Sequence, residues 1–274
     1  MKLLRLAVPL AALLTFIGCD NSTEPKTNTP GPQAYVRFVH AMPDMGPVNA
    51  RLIDKVENLN VGGETYRYVG PYQGIDAGSR HLRVFPSSTD INQAQRVLID
   101  ATVPLEAGKY YTLIASGYTA TGVTPQAQLV VLTDNAPTPG ANQVAVRSIN
   151  AVSGLGAIDV YTSASGTPSP LPATATMTGV SAQPLSPSNY ATLTTGPLVL
   201  RATAAGTTNV LAEFALPAGA AGTTVIDPTP GSSIGGTVLT AFFFPRGVAG
   251  SGAASFTAPG VTYGVDRRPP RPTS

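Results

Sequence analysis

Short apolar runs separated by turn residues dominate the chain from residue 34 onward. The first run, Tyr35–Ala41, is rich in β-branched and aromatic residues. Clusters of Gly, Pro, Asp and Ser separate the runs at a spacing of about 8–12 residues, which is typical of antiparallel sandwiches and barrels. No part of this region shows the 3.6-residue period of an amphipathic helix. We therefore predict further strands at Ala50–Ile53, Thr65–Val69, His81–Phe85, Arg96–Val103, Tyr110–Ala115 and Gln128–Thr133.

The pattern of the first half recurs in the second half. Val36–Ala41 aligns with Val146–Ala151, and Tyr72–Arg83 resembles Tyr190–Arg201 in the same order along the chain. An ordered set of matches indicates an internal duplication with one structural unit in each copy. We predict a first sandwich domain over 34–134, a Pro-rich linker over 135–142, a second sandwich domain over 143–265 and a Pro/Arg-rich tail over 266–274.

The N-terminus has the organisation of a targeting signal. Two basic residues precede the apolar run Leu6–Ile17, and Gly18 stands directly before Cys19. This run is too short for a bilayer, which requires about 20 residues, but it suits a signal peptide. The segment resembles the bacterial lipoprotein signal, apart from Phe16 where Leu is usual, and this implies that Cys19 carries lipid. We predict a lipoprotein signal peptide over 1–18 and a flexible tether over 19–33; an ordinary secretory signal is the alternative.

Composition and charge exclude several classes of protein. The chain has one Cys and two His, too few for a disulfide scaffold or a multi-histidine metalloenzyme. Lys and Arg number 17 against 15 Asp and Glu, and two of the basic residues, Lys2 and Arg5, belong to the predicted signal. The mature chain is thus close to neutral, which argues against nucleic acid as a partner. Its one basic cluster, Arg267, Arg268 and Arg271, is interpreted as a solvated tail.

His40 is the strongest candidate for chemistry, because histidine exchanges protons near neutral pH. Asp44 follows it in a Pro-Asp pair that predicts a turn. We expect His40 to hydrogen bond this turn at the end of a strand, in preference to a catalytic or metal-binding role. Asn150 occupies the equivalent position in the second copy, where it can form the same hydrogen bonds but cannot transfer a proton.

Two arginines and a group of tyrosines complete the candidate residues. Arg37 and Arg147 are equivalent in the two copies, so we expect a structural role, such as a hydrogen bond from a strand end to a carbonyl. Gly231–Gly235 fits the G-x-S-x-G pattern of hydrolases, but neither histidine follows it in the chain. The tyrosines suit either sugar and protein recognition or ordinary packing; in the first copy they are Tyr66, Tyr68, Tyr72, Tyr110, Tyr111 and Tyr118.

Several segments of the first copy resemble a known family. Val36–Asp44 followed by Pro47-Val48, together with Leu105–Thr112 and Leu132–Asp134, is similar to the family called domain of unknown function 4397. The resemblance covers about residues 34–134 and is weaker in the second copy, which lacks the His and the Pro-Asp pair. It implies an immunoglobulin-like sandwich, often in tandem, on bacterial surface proteins and lipoproteins, and it implies no activity.

The sequence thus predicts an all-β protein with two tandem immunoglobulin-like antiparallel β-sandwich domains. The predicted function is that of a non-enzymatic, lipid-anchored cell-envelope protein with a structural, adhesive or ligand-binding role, at the periplasmic face or the cell surface. A carbohydrate-binding accessory module is the alternative, and an envelope enzyme comes third. We expect no cofactor and no metal, a membrane contact through the lipid, and a protein or glycan ligand. The ligand, the membrane leaflet and the oligomeric state stay open.

Overall fold

The computed structural model describes residues 31–273, except 56–58, 60, 153–155 and 165–169. Cys19, the predicted signal peptide and most of the predicted tether lie outside the described residues. From Gly31 onward the chain forms one compact unit. In this described part, no helix has the length and apolar character needed to cross a bilayer.

Strands make up almost all of the regular secondary structure of the described residues, as the spacing of apolar runs predicts. The predicted strand Thr65–Val69 is wrong, because this segment is a loop with one isolated bridge at Val69. The short helix α1, Ile91–Ala94, is capped by the Asp90 side chain, which accepts a hydrogen bond from the Asn92 N–H. The strands of the first half are β1 (Gln33–Ala41), β2 (Val48–Leu52), β3 (Val61–Glu64), β4 (Gln73–Asp76), β5 (Gly78–Pro86), β6 (Ile99–Leu105), β7 (Tyr110–Ser116) and β8 (Gln128–Asp134). Those of the second half are β9 (Gln143–Asn150), β10 (Ile158–Ala164), β11 (Met177–Val180), β12 (Ala191–Thr194), β13 (Leu198–Ala204), β14 (Val210–Ala215), β15 (Val238–Phe244) and β16 (Gly260–Arg267).

The strands assemble into two sandwiches with the same topology. The first contains the sheets β3-β2-β5-β6 and β4-β1-β7-β8, and the second contains β11-β10-β13-β14 and β12-β9-β15-β16. Adding eight to each strand number of the first sandwich gives the strand order of the second. The prediction of two β-sandwiches is confirmed.

Two of the four sheets are mixed, which corrects the expectation of antiparallel sandwiches. β1 runs parallel to β7, and β9 runs parallel to β15. Neighbours in the chain such as β2 and β3, or β7 and β8, form antiparallel pairs because short connections reverse the chain direction. Alternation of apolar and polar residues has the same period in both kinds of sheet, so it does not encode strand direction.

Both faces of β1 and β9 are buried. Along β1, Val36 and Phe38 point into the core of the first sandwich, whereas Val39 and Ala41 point to the opposite face of the sheet. β9 repeats this arrangement, with Val146 in the core of the second sandwich and Ile149 on the other face. Each of these two sheets therefore has a second apolar face that requires a cover.

The two sheets cover each other. Apolar side chains of the first sandwich (Val39, Ala41, Tyr66 and Ile114) and of the second (Ile149, Ala151, Phe242, Phe244 and Ala253) form one cluster, in which each is at most 2% exposed. Burial of apolar surface stabilises by roughly 25 cal/mol per Å², so this cluster holds the sandwiches together. We call the contact between the sheets β4-β1-β7-β8 and β12-β9-β15-β16 the seam.

Loops close one end of the seam. The Tyr66 hydroxyl donates a hydrogen bond to the Pro245 carbonyl at 2.9 Å, and its ring packs edge-on against Phe244 and Phe256. Gly46 and Gly252 approach so closely that a Cβ on Gly252 would lie 2.5 Å from the Gly46 nitrogen. These contacts join the loops that follow β1 and β3 to the loop that follows β15.

The last strand extends beyond the predicted boundary of the second sandwich. β16 continues through Arg267, so the first two residues assigned to the tail belong to the sheet. Arg267 also donates a hydrogen bond to the Ala136 carbonyl at 3.2 Å. The connecting segment between the sandwiches is thereby held against β16.

Candidate functional site

Two ion pairs cross the centre of the seam. Arg37 of the first sandwich contacts Asp266 of the second, with 2.7 Å between Nη1 and Oδ1. Arg147 of the second sandwich pairs with Asp134 of the first. All four side chains are at most 4% exposed. Each arginine thus crosses to a carboxylate of the opposite sandwich, and the charges balance.

In the first sandwich, a threonine and a tyrosine hold the carboxylate in place. The Thr112 hydroxyl donates to Asp134 Oδ2 at 2.5 Å, and the Tyr72 hydroxyl donates to the same oxygen at 2.8 Å. Arg37 Nε donates to Thr112 Oγ1 at 2.7 Å, and the Arg37 guanidinium lies 4.7 Å from the centre of the Tyr72 ring. The four side chains form one connected polar group.

The second sandwich repeats this group with the same residue types. Thr240 and Tyr190 donate to Asp266 Oδ2 at 2.5 and 2.8 Å. Arg147 Nε donates to Thr240 Oγ1 at 2.8 Å, and its guanidinium lies 4.9 Å from the Tyr190 ring centre. The Arg-Thr-Asp-Tyr set is therefore a repeated feature of the fold.

The surroundings of Arg147, Tyr72 and Tyr190 keep these three side chains protonated, as their contacts require. Burial opposes the charged form of Arg147, but the carboxylates of Asp266 and Asp134 outweigh it and raise the pKa of the guanidinium. Burial raises the pKa of Tyr72 and of Tyr190 above the ordinary value of a phenol, so both hydroxyls stay protonated and act as donors. The group is buried and its charges balance, which is the geometry of a structural element.

The contacts of Arg37 and Arg147 differ from the expected hydrogen bond to a carbonyl. Their partners are threonine hydroxyls and the carboxylates of the opposite sandwich. Sequence reasoning missed Asp266 because it lay in the segment interpreted as a tail. The alignment of Tyr72 with Tyr190 was the available signal, since each tyrosine hydrogen bonds one of these aspartates.

His40 lies at the end of β1, fully buried. Its Nε2 lies 2.9 Å from the Gly46 carbonyl, and its Nδ1 accepts a hydrogen bond from the Met42 N–H at 3.4 Å. Nε2 therefore carries the proton in this arrangement. Burial lowers the pKa of His40 to about 4, so the ring is neutral at neutral pH.

Asn150 occupies the same place at the end of β9. Its Nδ2 donates to the Gly156 carbonyl at 3.1 Å, and its Oδ1 accepts from the Val152 N–H at 3.1 Å. One donor contact and one acceptor contact, to the same relative positions, reproduce those of His40. The position is therefore occupied by a group that hydrogen bonds the following turn in both sandwiches.

Asp44 organises the loop between β7 and β8. Its Oδ2 accepts hydrogen bonds from the N–H groups of Thr119 at 2.7 Å and Ala120 at 2.9 Å. The Thr119 hydroxyl adds a third contact at 3.1 Å.

The described residues contain no group of three or more His, Cys, Asp or Glu side chains that could hold a metal ion.

A cleft opens at the other end of the seam, opposite the loop contacts of Tyr66. Its volume is about 900 Å³, which lies in the range of small-molecule sites. Both sandwiches and the connecting segment contribute to its walls. The side chains that give it chemical character are Tyr35, Tyr72, Lys109, Tyr110, Arg267 and Arg268. We call this the seam cleft.

Two stacked tyrosines form the aromatic wall of the seam cleft. Tyr35 on β1 and Tyr110 on β7 are neighbours in the parallel pair, with ring centres 4.7 Å apart and planes 16° apart. They are 37% and 40% exposed. Tyr72 packs edge-on against Tyr110 at 5.1 Å and is itself held by Asp134. The aromatic wall is therefore fixed in position before any ligand binds.

The second sandwich lacks this wall. The strand registers place Ala145 and Val238 where the first sandwich has Tyr35 and Tyr110, and both are fully buried. The C-terminal segment passes nearby, since a Cβ on Gly236 would meet Pro270 Cδ at 3.1 Å. The stacked tyrosines are thus a feature that the shared fold does not require.

Comparison with known proteins agrees with the resemblance seen in the sequence. Residues 34–161 match the family described as Domain of unknown function (DUF4397). The chain carries a DUF4397 domain. The DUF4397 match covers the first sandwich and continues through β9 into β10, so it includes Arg37, Asp134 and Arg147. No curated protein matches the chain.

The buried position of His40 makes the stability of this DUF4397 protein depend on pH. Between pH 6.5 and about 4 the unfolded chain binds a proton that native His40 does not, so stability decreases as the pH falls through this window. At pH 4.5 the loss from this residue amounts to about 2–3 kcal/mol relative to pH 7. We expect His40→Asn, which installs the residue of the second sandwich, to remove this loss.

Urea unfolding at pH 7 and pH 4.5 measures the effect. His81→Asn is the matched control, because it replaces the histidine on β5, which is partly exposed and pairs with Asp100, and leaves His40 in place. An equal pH dependence in wild type and His40→Asn would contradict the assignment.

Proposed function

We propose that the protein is a non-enzymatic, lipid-anchored protein of the bacterial cell envelope that binds a ligand in the seam cleft. The observation that carries the proposal is the exposed Tyr35–Tyr110 stack beside Lys109, in a cleft of about 900 Å³. Exposed aromatic pairs with polar groups nearby are typical of recognition sites. The second sandwich has the same fold without them, which supports a role in binding over one in folding.

The arrangement of the titratable groups supports binding over catalysis. His40 is buried, neutral and engaged on both ring nitrogens, so it is unavailable for proton transfer to a ligand. Asp134 and Asp266 are held by hydroxyl donors and arginines. Ser233, the serine of the G-x-S-x-G pattern, lies in a turn where its N–H bonds the Ala218 carbonyl. These contacts serve structure.

The N-terminal sequence supports the anchor. Gly18-Cys19 follows an apolar run of signal-peptide length, and the first strand begins at Gln33. The roughly 13 residues between Cys19 and Gln33 span at most about 45 Å when extended. A lipid on Cys19 would therefore keep the folded body close to the membrane surface.

A carbohydrate-binding accessory module is the second candidate. The tyrosine wall favours it, because tyrosine offers an apolar face together with a hydroxyl that hydrogen bonds. A purely structural or adhesive role would not need an exposed aromatic pair inside a cleft.

Cys19→Ala tests the anchor. We expect the variant to move from the membrane fraction to the soluble fraction of cells that express it, because the lipid attachment point is lost. Ser22→Ala, a neighbouring change in the predicted tether, should stay in the membrane fraction. Membrane fractionation of Cys19→Ala equal to that of wild type would refute the lipid anchor.

Tyr35→Ala/Tyr110→Val tests the binding role of the seam cleft. These are the residues that the second sandwich carries at the same positions, so the fold should tolerate them. We expect binding of the lipid-free chain, residues 20–274, to isolated cell envelopes to weaken about tenfold or more, which corresponds to about 1.4 kcal/mol. A sedimentation assay with labelled protein measures it.

Val210→Ala/Leu211→Ala is the matched control for that assay. These side chains are 41% and 47% exposed on β14 of the opposite outer sheet. Equal envelope binding by the tyrosine variant, the control and wild type would exclude the seam cleft as the binding site.

A further inference from the structure

The cations around the seam cleft indicate what kind of ligand it takes. We propose that the seam cleft binds an acidic oligosaccharide, whose sugar rings pack on the tyrosine wall and whose acid groups meet Lys109, Arg267 and Arg268. This inference rests on the proposed binding function and specifies the ligand class.

The aromatic wall suits the faces of sugar rings. The rings of Tyr35 and Tyr110 stack on each other, yet they are 37% and 40% exposed and line the cleft. Their remaining apolar surface and hydroxyls can contact C–H groups and hydroxyls of one ligand. Tyr72 locks Tyr110 from the side, and Asp134 locks Tyr72. A wall that is already rigid loses little conformational entropy when a ligand binds.

The cleft carries surplus positive charge. Asp134 and Asp266 also line it, but their charges are balanced by the buried Arg37 and Arg147. These carboxylates therefore do not neutralise Lys109, Arg267 and Arg268, which we call the rim cations. This surplus stands out because the mature chain has nearly equal numbers of acidic and basic residues.

The rim cations keep their charge available. In the described part of the chain, the Lys109 side chain has no hydrogen bond and no ion pair. Arg267 bonds only a neutral carbonyl, that of Ala136. Arg268 lies near Asp227, whose carboxylate is already paired with Arg271 at 2.6 Å. An anionic group entering the cleft would therefore meet positive charge that the protein itself does not neutralise.

The second sandwich again serves as an internal comparison. Lys109 precedes Tyr110, and the equivalent of Lys109 is Thr237, which is fully buried. The lysine and the two tyrosines are thus replaced together by Thr237, Ala145 and Val238. All three side chains are present in the first sandwich and absent from the second. One ligand with both sugar rings and acid groups explains why they occur together.

Acidic sugars fit this combination of aromatic and cationic side chains better than nucleic acids or acidic peptides do. A single nucleic acid strand occupies a groove with many phosphate contacts over several nucleotides, whereas the seam cleft has three cations and about 900 Å³. An acidic peptide would satisfy the cations without a need for the flat aromatic wall. Both alternatives are outcomes of the test.

Isothermal titration of the chain of residues 20–274 tests the proposal with two uronic acid oligosaccharides, trigalacturonate and a hyaluronan hexasaccharide. Each is compared with its methyl ester, which has the same rings without the charge. We expect at least one acidic form to bind about tenfold more tightly than its ester, with affinity decreasing from 50 to 500 mM NaCl. Lys109→Thr should reduce the difference between acid and ester, and Tyr35→Ala/Tyr110→Val should weaken both forms.

Arg96→Gln is the matched charge control, because Arg96 lies outside the cleft and contacts Gln93. Equal binding of acid and ester, preferential binding of oligothymidylate or of a hexaglutamate peptide, or no binding of either uronic acid probe would overturn the proposal. In each of these cases, loss of envelope binding in Tyr35→Ala/Tyr110→Val would still support the seam cleft as a binding site for another ligand. The two claims are therefore separable.

Discussion

Two arginine–aspartate pairs that cross the seam determine how this protein is put together. A buried charge is unfavourable unless a partner neutralises it, and breaking a buried pair typically destabilises by about 3–5 kcal/mol. Arg37 pairs with Asp266 of the second sandwich, and Arg147 pairs with Asp134 of the first, while Asp266 of its own sandwich lies 3.9 Å from Arg147 Nε. Separation of the sandwiches would break both of these pairs and would expose the apolar face of each sheet at the seam. The seam therefore couples two sandwiches that the sequence presents as separate domains.

The seam cleft depends on this coupling. One wall, Tyr35 and Tyr110, belongs to the first sandwich, while Arg267 and Arg268 come from β16 of the second and its continuation. Tyr72 links the two regions, since it hydrogen bonds Asp134 in the seam and packs against Tyr110 in the cleft. The position of the aromatic wall thus depends on the buried ion pairs. Ligand sites are common at such interfaces between domains.

Much of the fold could be predicted from the sequence, because strand positions depend on local patterns. Apolar runs, turn residues and the internal alignment indicated the two sandwiches and the equivalence of Tyr72 with Tyr190. The seam was not predicted, although Phe38 and Val39 are adjacent apolar residues and so point to opposite faces of β1, as in strands buried on both faces. The ion pair Arg37–Asp266 joins positions from opposite ends of the chain, and no local signal links them. The cleft was not predicted for the same reason, because residues far apart in the chain, such as Lys109 and Arg267, line it.

Differential scanning calorimetry of the lipid-free chain tests the coupling most directly. Independent domains unfold in separate transitions, whereas a single cooperative unit unfolds in one, with equal calorimetric and van't Hoff enthalpies. We expect one such transition for wild type, and a lower midpoint or a split transition for Asp134→Ala/Asp266→Ala. Two separate transitions in wild type, one for each sandwich, would contradict the claim that the buried ion pairs and the apolar cluster of the seam make the two sandwiches one unit.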